Sequence, residues 1–198
     1  MRRTRAWHSD VQPTDVISIF APRFAAAGVE WMVTGGVAAI VYGEPRLTQD
    51  LYVVVAIGAG DVSRFADQFP ESDFYCPASE VIAREAEREL FGHFNVLHLA
   101  SDARADVYIA GSDTLAREGL ATRRLVELIG QSVPIASPEQ VVLQKLRFRQ
   151  RGASERHLRD IRGILRVMGD AIDISTLEQM ARAHGIEPQW REMQLLRE

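Results

Sequence analysis

The stretch VTGGVAAIVYGEPRLTQDLYVVV, Val33 to Val55, places Gly35-Gly36 between a strand-like run and a helix-like run, with Asp50 opening the next strand-like run. Glycine lets the backbone turn sharply and approach a ligand closely. A helix start presents unpaired N–H groups and the positive end of a dipole, which suit a phosphate. Side chains alternate along a strand, so Asp50 and residue 52 share a face. Two carboxylates there would bridge divalent cations that neutralise phosphates. Position 52 is instead Tyr52, a neutral phenol with an ordinary pKa of about 10 and a poor Mg²⁺ ligand. Asp106, in RADVYIA, is a further carboxylate in strand-prone sequence; if buried, it needs a cation or another partner. Each feature has an ordinary alternative. Gly-Gly is also a plain tight turn, Asp50 a strand-start residue, and Asp106 a water-facing residue of an edge strand beside Arg104.

These residues need elements to hold them. PTDVISIFAPRFAAAG reads as a helix capped by Thr14 or Asp15 and ended by Gly28. EWMVTG is a short buried strand, GVAAIVYG a short helix and DLYVVVAI a strongly β-prone run. DVSRFADQFP and SEVIAREAEREL read as helices, the second capped by Ser79. HFNVLHLA and RADVYIA are strands joined at Ser101-Asp102-Ala103, and RRLVELIGQSVPIA is a hairpin turning at Gly130-Gln131. Ser137, Pro138 and Glu139 then open a helix with a cap, a first-turn proline and a first-turn acid. Helical patterns continue over 138–151, 154–168, 174–184 and 188–196. The expected architecture is α/β: a mixed, mostly antiparallel sheet flanked by helices over residues 1–135, and a helical segment over 136–198 that packs on it and closes one side of a cleft.

Taken together, YGEPRLTQD, ASPEQVVLQKL and SERHLRDIRGIL are more specific than any one of them. From about Val33 to about Met168 the chain resembles the nucleotidyltransferase superfamily, and within it the minimal bacterial proteins related to AbiEii-type toxins. The resemblance implies that Gly35 and Gly36 hold the triphosphate of an NTP and that Asp50 and Asp106 hold Mg²⁺. Asp106 would also orient the acceptor hydroxyl. It further implies that Arg46 and Lys145 face phosphate, and that Asp160 fills the acidic position of a late helix. The second metal-bridging aspartate of the family is replaced by Tyr52, so Mg²⁺ binding is expected to be weak or absent. The implied activity is transfer of a nucleotide to an RNA or protein acceptor, impaired at the metal site. The alternative is a pseudoenzyme that binds nucleotide or an antitoxin-like protein partner. Tyr52→Asp is expected to raise metal affinity and, by crowding three carboxylates, to lower stability without metal.

The remaining composition narrows the field. The 198 residues are 46% hydrophobic and 25% charged, ordinary for a globular protein. No apolar run nears the roughly 18 residues that span a bilayer. The basic start MRRTRAWHSD lacks the apolar stretch of a secretory signal. Cys76 is the single cysteine, which fits a cytoplasmic location and excludes internal disulfides and multi-cysteine zinc sites. The five histidines have no metalloprotease spacing, and His93 and His98 read as strand surface. The net charge of −4 argues against non-specific nucleic-acid binding. From Lys145, the only lysine, to Arg166, both included, there are eight basic residues against Glu155 and Asp160. This segment reads equally as a cleft lining and as a solvated face with pairs such as Arg156–Asp160. For Lys145 the expectation is a cleft position and, as an exposed lysine, little contribution to stability.

Overall fold

A computed structural model of the chain describes residues 13–101, 103–149, 152 and 155–195. His8, Asp102, Arg151 and the side chains of Thr14 and Asp15 lie outside the described part. The alternation that pairs Asp50 with Tyr52 on one face organises the whole molecule. In β2, Asp50–Ala56, the alternate residues Leu51, Val53 and Val55 are buried on the other face. That second face packs under α1, Pro13–Ala26, and α3, Val62–Ala66, through the rings of Phe20, Phe24 and Phe65, joined by Phe69 from the turn after α3. Phe24 stacks on Trp31 of β1, Glu30–Thr34, with centroids 5.5 Å apart.

Among the described residues, seven strands form one sheet. Besides β1 and β2 these are β3, Phe74–Tyr75, β4, His93–His98, β5, Arg104–Ile109, β6, Arg124–Leu128, and β7, Gln131–Ile135, in the order β3-β4-β5-β2-β1-β7-β6. Adjacent strands are antiparallel except for β2–β5 and β1–β7, which are parallel. The mixed, mostly antiparallel sheet expected from the sequence is therefore present. Asp106 does not sit on an edge: β5 lies between β4 and β2.

The polar face carries the remaining site-forming helices: α2, Gly35–Tyr42, α5, Thr114–Ala121, α6, Pro138–Arg149, and α7, Glu155–Met168. α6 starts where expected, with the Ser137 hydroxyl accepting from the Gln140 N–H. α4, Ser79–Ala86, stops earlier than its sequence pattern, and Ser79 is its first helical residue, not its cap. α8, Ile174–Ala183, and α9, Glu187–Leu195, complete the chain against α6. The β6–β7 hairpin turns one residue earlier than expected, at Ile129-Gly130, with φ of 53° and 69°. Positive φ at both central residues gives the tight turn the twist that matches its strands. Helix α5 was not apparent in the sequence reading, although Asp113 caps it by accepting from the N–H groups of Leu115 and Ala116.

The docking of α7 on the end of α2 is close. A Cβ on Gly43 would lie 2.8 Å from the Ala39 carbonyl oxygen and 3.0 Å from the Ile164 nitrogen. Backbone cannot give way as a flexible side chain can. Gly43→Ala is accordingly expected to cost about 1–3 kcal/mol, the usual range for overpacking a tight contact. Urea unfolding checks this, and an unchanged midpoint would mean that α7 is not held at this distance.

Candidate functional site

Strand register brings the sequence-predicted carboxylates together. β2 and β5 run parallel with Asp50 opposite Arg104 and Tyr52 opposite Asp106. Asp106 is buried, 5% exposed, whereas Asp50 is half-buried. Between them lies the Arg104 guanidinium, with Nη2 3.0 Å from Asp50 Oδ2 and Nε 3.2 Å from Asp106 Oδ1. His93 Nε2 is 3.7 Å from the same Asp106 oxygen. His93 is thus half-buried on its strand beside the carboxylate, and its ring packs 4.6 Å from Tyr108.

Beside this cluster is a cleft of about 210 Å³, bordered by Gly35, Gly36, Arg46, Asp50, Tyr52, Lys145 and Asp160. Asp106 stands behind it, outside the lining. Gly35 has φ of +64°, and a Cβ there would lie 2.7 Å from the Tyr52 ring. The turn and the phenol therefore fit only as a pair. Over Gly36 stand Thr48 and Arg46, which a Cβ would meet at 2.9 and 3.1 Å. The first turn of α2 thus packs against an arginine and a hydroxyl. Thr34 does not cap that helix; its hydroxyl donates to Gln144 Oε1 of α6.

Asp160 joins three segments. Arg46 donates to both of its oxygens at 2.9 Å, and Lys145 Nζ donates to Oδ2 at 2.7 Å. The expected Arg156–Asp160 pair is replaced by these two partners. Burial alone would raise the Asp160 pKa, but the Arg46 hydrogen bonds and Lys145 outweigh it and hold the carboxyl below its usual range. Burial pushes the Lys145 ammonium down, with Asp160 opposing. Lys145 lines the cleft, yet it is only 4% exposed. The expectation of an exposed lysine is corrected: Lys145 is buried.

The other basic residues of the segment disperse. Arg147 pairs with Asp113 at 2.8 Å, Arg149 makes two hydrogen bonds to Glu192 on α9, and Arg166 pairs with Glu44. Arg156, exposed on α7, lines the cleft and has no ion pair among the described residues. Sequence reasoning also missed the aromatic wall. Tyr108 meets Phe148 at 5.7 Å, Phe148 stacks on His157 at 6.5 Å, and Tyr52 stacks on Tyr108 at 6.2 Å. Burial, then Asp106, pushes the Tyr108 phenol up to about 12. Burial pushes His157 down, so its ring is neutral near pH 7. Period-2 spacing of Arg104, Asp106 and Tyr108 was the available signal for a shared face.

No protein-family description and no curated protein sequence matches the chain. Solved structures do. An antigenic nucleotidyltransferase-like protein from Paracoccidioides brasiliensis aligns over 93% of both chains, with 20% identity and a TM-score of 0.56. The antibiotic-resistance factor ANT(2'')-Ia aligns over 93% of this chain and 98% of its own, with 12% identity and a TM-score of 0.57. The fold is nucleotidyltransferase-like. At these identities the likeness is one of fold, and it leaves activity to be argued from the residues.

A nucleotidyltransferase-like fold raises the question of divalent metal, and the residues present do not fit it. The space between Asp50 and Asp106 holds a guanidinium. Tyr52, raised in pKa by burial and then by Asp106 and Asp50, stays a neutral phenol. Among the described residues, no three acidic, histidine or cysteine side chains are grouped as a metal site.

Two outcomes are expected from the Asp160 cluster. Lys145→Ala should lower the unfolding free energy by about 2–4 kcal/mol, because breaking a buried ion pair leaves part of a charge uncompensated. The folded-state pKa of Asp160 is depressed, so its contribution is full above the unfolded-state value of about 4 and fades as pH falls through the folded value. Asp160→Asn should therefore be less stable than the parent at pH 7 and approach it in acid. Urea unfolding of both proteins over a pH series checks the convergence.

Proposed function

We propose that the cleft binds a nucleotide and that metal-dependent transfer to an RNA or protein acceptor has been lost. The observation that carries this reading is the juxtaposition of two kinds of surface. The start of α2 lies beneath Arg46 and Thr48 with Lys145 in the same lining, which suits phosphate. Tyr108, Phe148 and His157 supply flat aromatic surface, which suits a base. In this reading the phosphates lie beside the Gly35-Gly36 turn on the Arg46 and Lys145 side, since the space next to the glycines themselves is taken by Tyr52, Thr48 and Arg46. Asp160 positions Arg46 and Lys145 without touching the ligand, and Arg156 adds a cation at the exposed side.

The charge balance supports an anion. Arg46, Lys145 and Asp160 form a cluster with one positive charge in excess, and Arg156 adds another. Against these, Arg104 leaves the Asp50–Asp106 pair with one negative charge in excess. The phosphates therefore belong on the Arg46–Lys145 side. Loss of transfer is supported by Tyr52 on Gly35 and by the guanidinium between the two carboxylates. Nucleotidyl transfer by two metals needs bridging carboxylates to hold the cations that stabilise the attacking and leaving oxygens.

Thermal melts with ATP, GTP, CTP and UTP test the reading. At least one is expected to raise the melting temperature, and Arg156→Ala to weaken that nucleotide about tenfold or more, the loss expected for one charge-assisted contact. With Mg²⁺ and an α-labelled nucleotide, no label should enter RNA or protein. Incorporation into either acceptor would show that transfer survives. Absence of stabilisation by all four nucleotides, with a copurifying protein instead, would favour partner binding.

A further inference from the structure

We infer that Arg104 is a resident counter-ion: its guanidinium takes the place of a divalent cation between Asp50 and Asp106 and keeps such ions out. The inference goes beyond nucleotide binding, and no nucleotide is needed to test it.

The geometry is set by backbone pairing. Arg104 lies directly opposite Asp50 in the parallel register, and two residues before Asp106 on the same strand face. A short reach suffices for contact with both carboxylates, at 3.0 and 3.2 Å. Arginine is always charged in a protein. It is also tethered, so its cation is delivered once, during folding. A divalent ion would have to displace it and shed tightly held water as well.

The fit of the guanidinium is electrostatic more than directional. Arg104 Nε is buried near Asp106, yet it makes no hydrogen bond of sound angle. Two further atoms of the same neighbourhood are also buried without a hydrogen-bond partner: Asn95 Oδ1 and His93 Nε2. Asn95 lies opposite Asp106 in the β4–β5 register, so the two share a face. A carbonyl oxygen and an imidazole nitrogen are groups that Mn²⁺ accepts, beside two carboxylates. Removing the arginine would leave Asp50 and Asp106 without their shared cation. Tyr52 is the rival cause of metal exclusion. An aspartate at position 52 would join a cluster that already contains Arg104, which would offset its charge. Contrary to the expectation from sequence alone, Tyr52→Asp should then change metal affinity little while Arg104 remains.

The test uses Mn²⁺ alone, read by electron paramagnetic resonance of the free ion and by melting temperature. The parent protein and Tyr52→Asp are expected to bind little Mn²⁺. Arg104→Gln should bind it at least about tenfold more tightly, since a repelling unit charge within a few ångströms has gone. Adding Asp50→Asn to Arg104→Gln should abolish the gain. Arg104→Gln leaves Asp106 without its principal partner, so its melting is followed across an Mn²⁺ series, in which the ion itself should restore stability. The inference is overturned if Arg104→Gln is folded and gains no Mn²⁺ affinity. It is also overturned if that variant stays unfolded at every Mn²⁺ concentration, or if Tyr52→Asp gains as much as Arg104→Gln.

Discussion

A single buried carboxylate fixes the geometry of the cleft. Asp160 takes Arg46 from the segment after α2 and Lys145 from α6, so three stretches distant in sequence meet at one group. A buried ion pair need not add net stability over an apolar contact, but losing one partner is costly. Its effect here is to specify one arrangement. α6 and α7 can dock on α2 only where both cations reach Asp160, and the close backbone approach at Gly43 leaves little room for another angle. Phe148 and His157 ride on the same two helices, so the aromatic wall is set by the same contact.

Most of the charge in the cleft is already matched. Arg46 and Lys145 share Asp160, Arg147 holds Asp113, and Arg104 holds Asp50. An incoming anion therefore exchanges partners more than it meets bare charge, and the energy gained per contact is smaller than a list of basic residues suggests. The same matching explains why a lining rich in arginine and lysine coexists with a stable fold. Self-repulsion among these cations is offset locally, pair by pair.

Local signals were legible in the sequence, and pairings across the fold were not. The turn at Gly35-Gly36, the alternation in β2, the Ser137 cap and the β6–β7 hairpin each depend on a few neighbouring residues. Asp50 and Asp106 were expected to face one cleft; both contact Arg104, but of the two Asp50 alone borders the cleft. What stands between them was not foreseen, because Arg104 reaches Asp50 only through the parallel register of two strands more than fifty residues apart. Lys145 borders the cleft, and its burial follows from Asp160 and Arg46 arriving from other segments. Helix α5 escaped because a short helix with Gly119 inside it has weak intrinsic preference; a tight seat against Met32 compensates, where even a Cβ on Gly119 would come within 2.6 Å of the methionine methyl.

The burial of Lys145 also has a chemical consequence. It is the only lysine in these 198 residues, and it is 4% exposed with its nitrogen engaged by a carboxylate. Amine-directed reagents such as succinimidyl esters and common cross-linkers need a free, accessible amine, and here the folded chain offers them no side chain. Acylation at Lys145 would report that its pair with Asp160 had opened. Selective digestion after lysine would cut the folded chain hardly at all and the unfolded chain once. The protein thus carries a built-in indicator of its own integrity, read by mass at one residue.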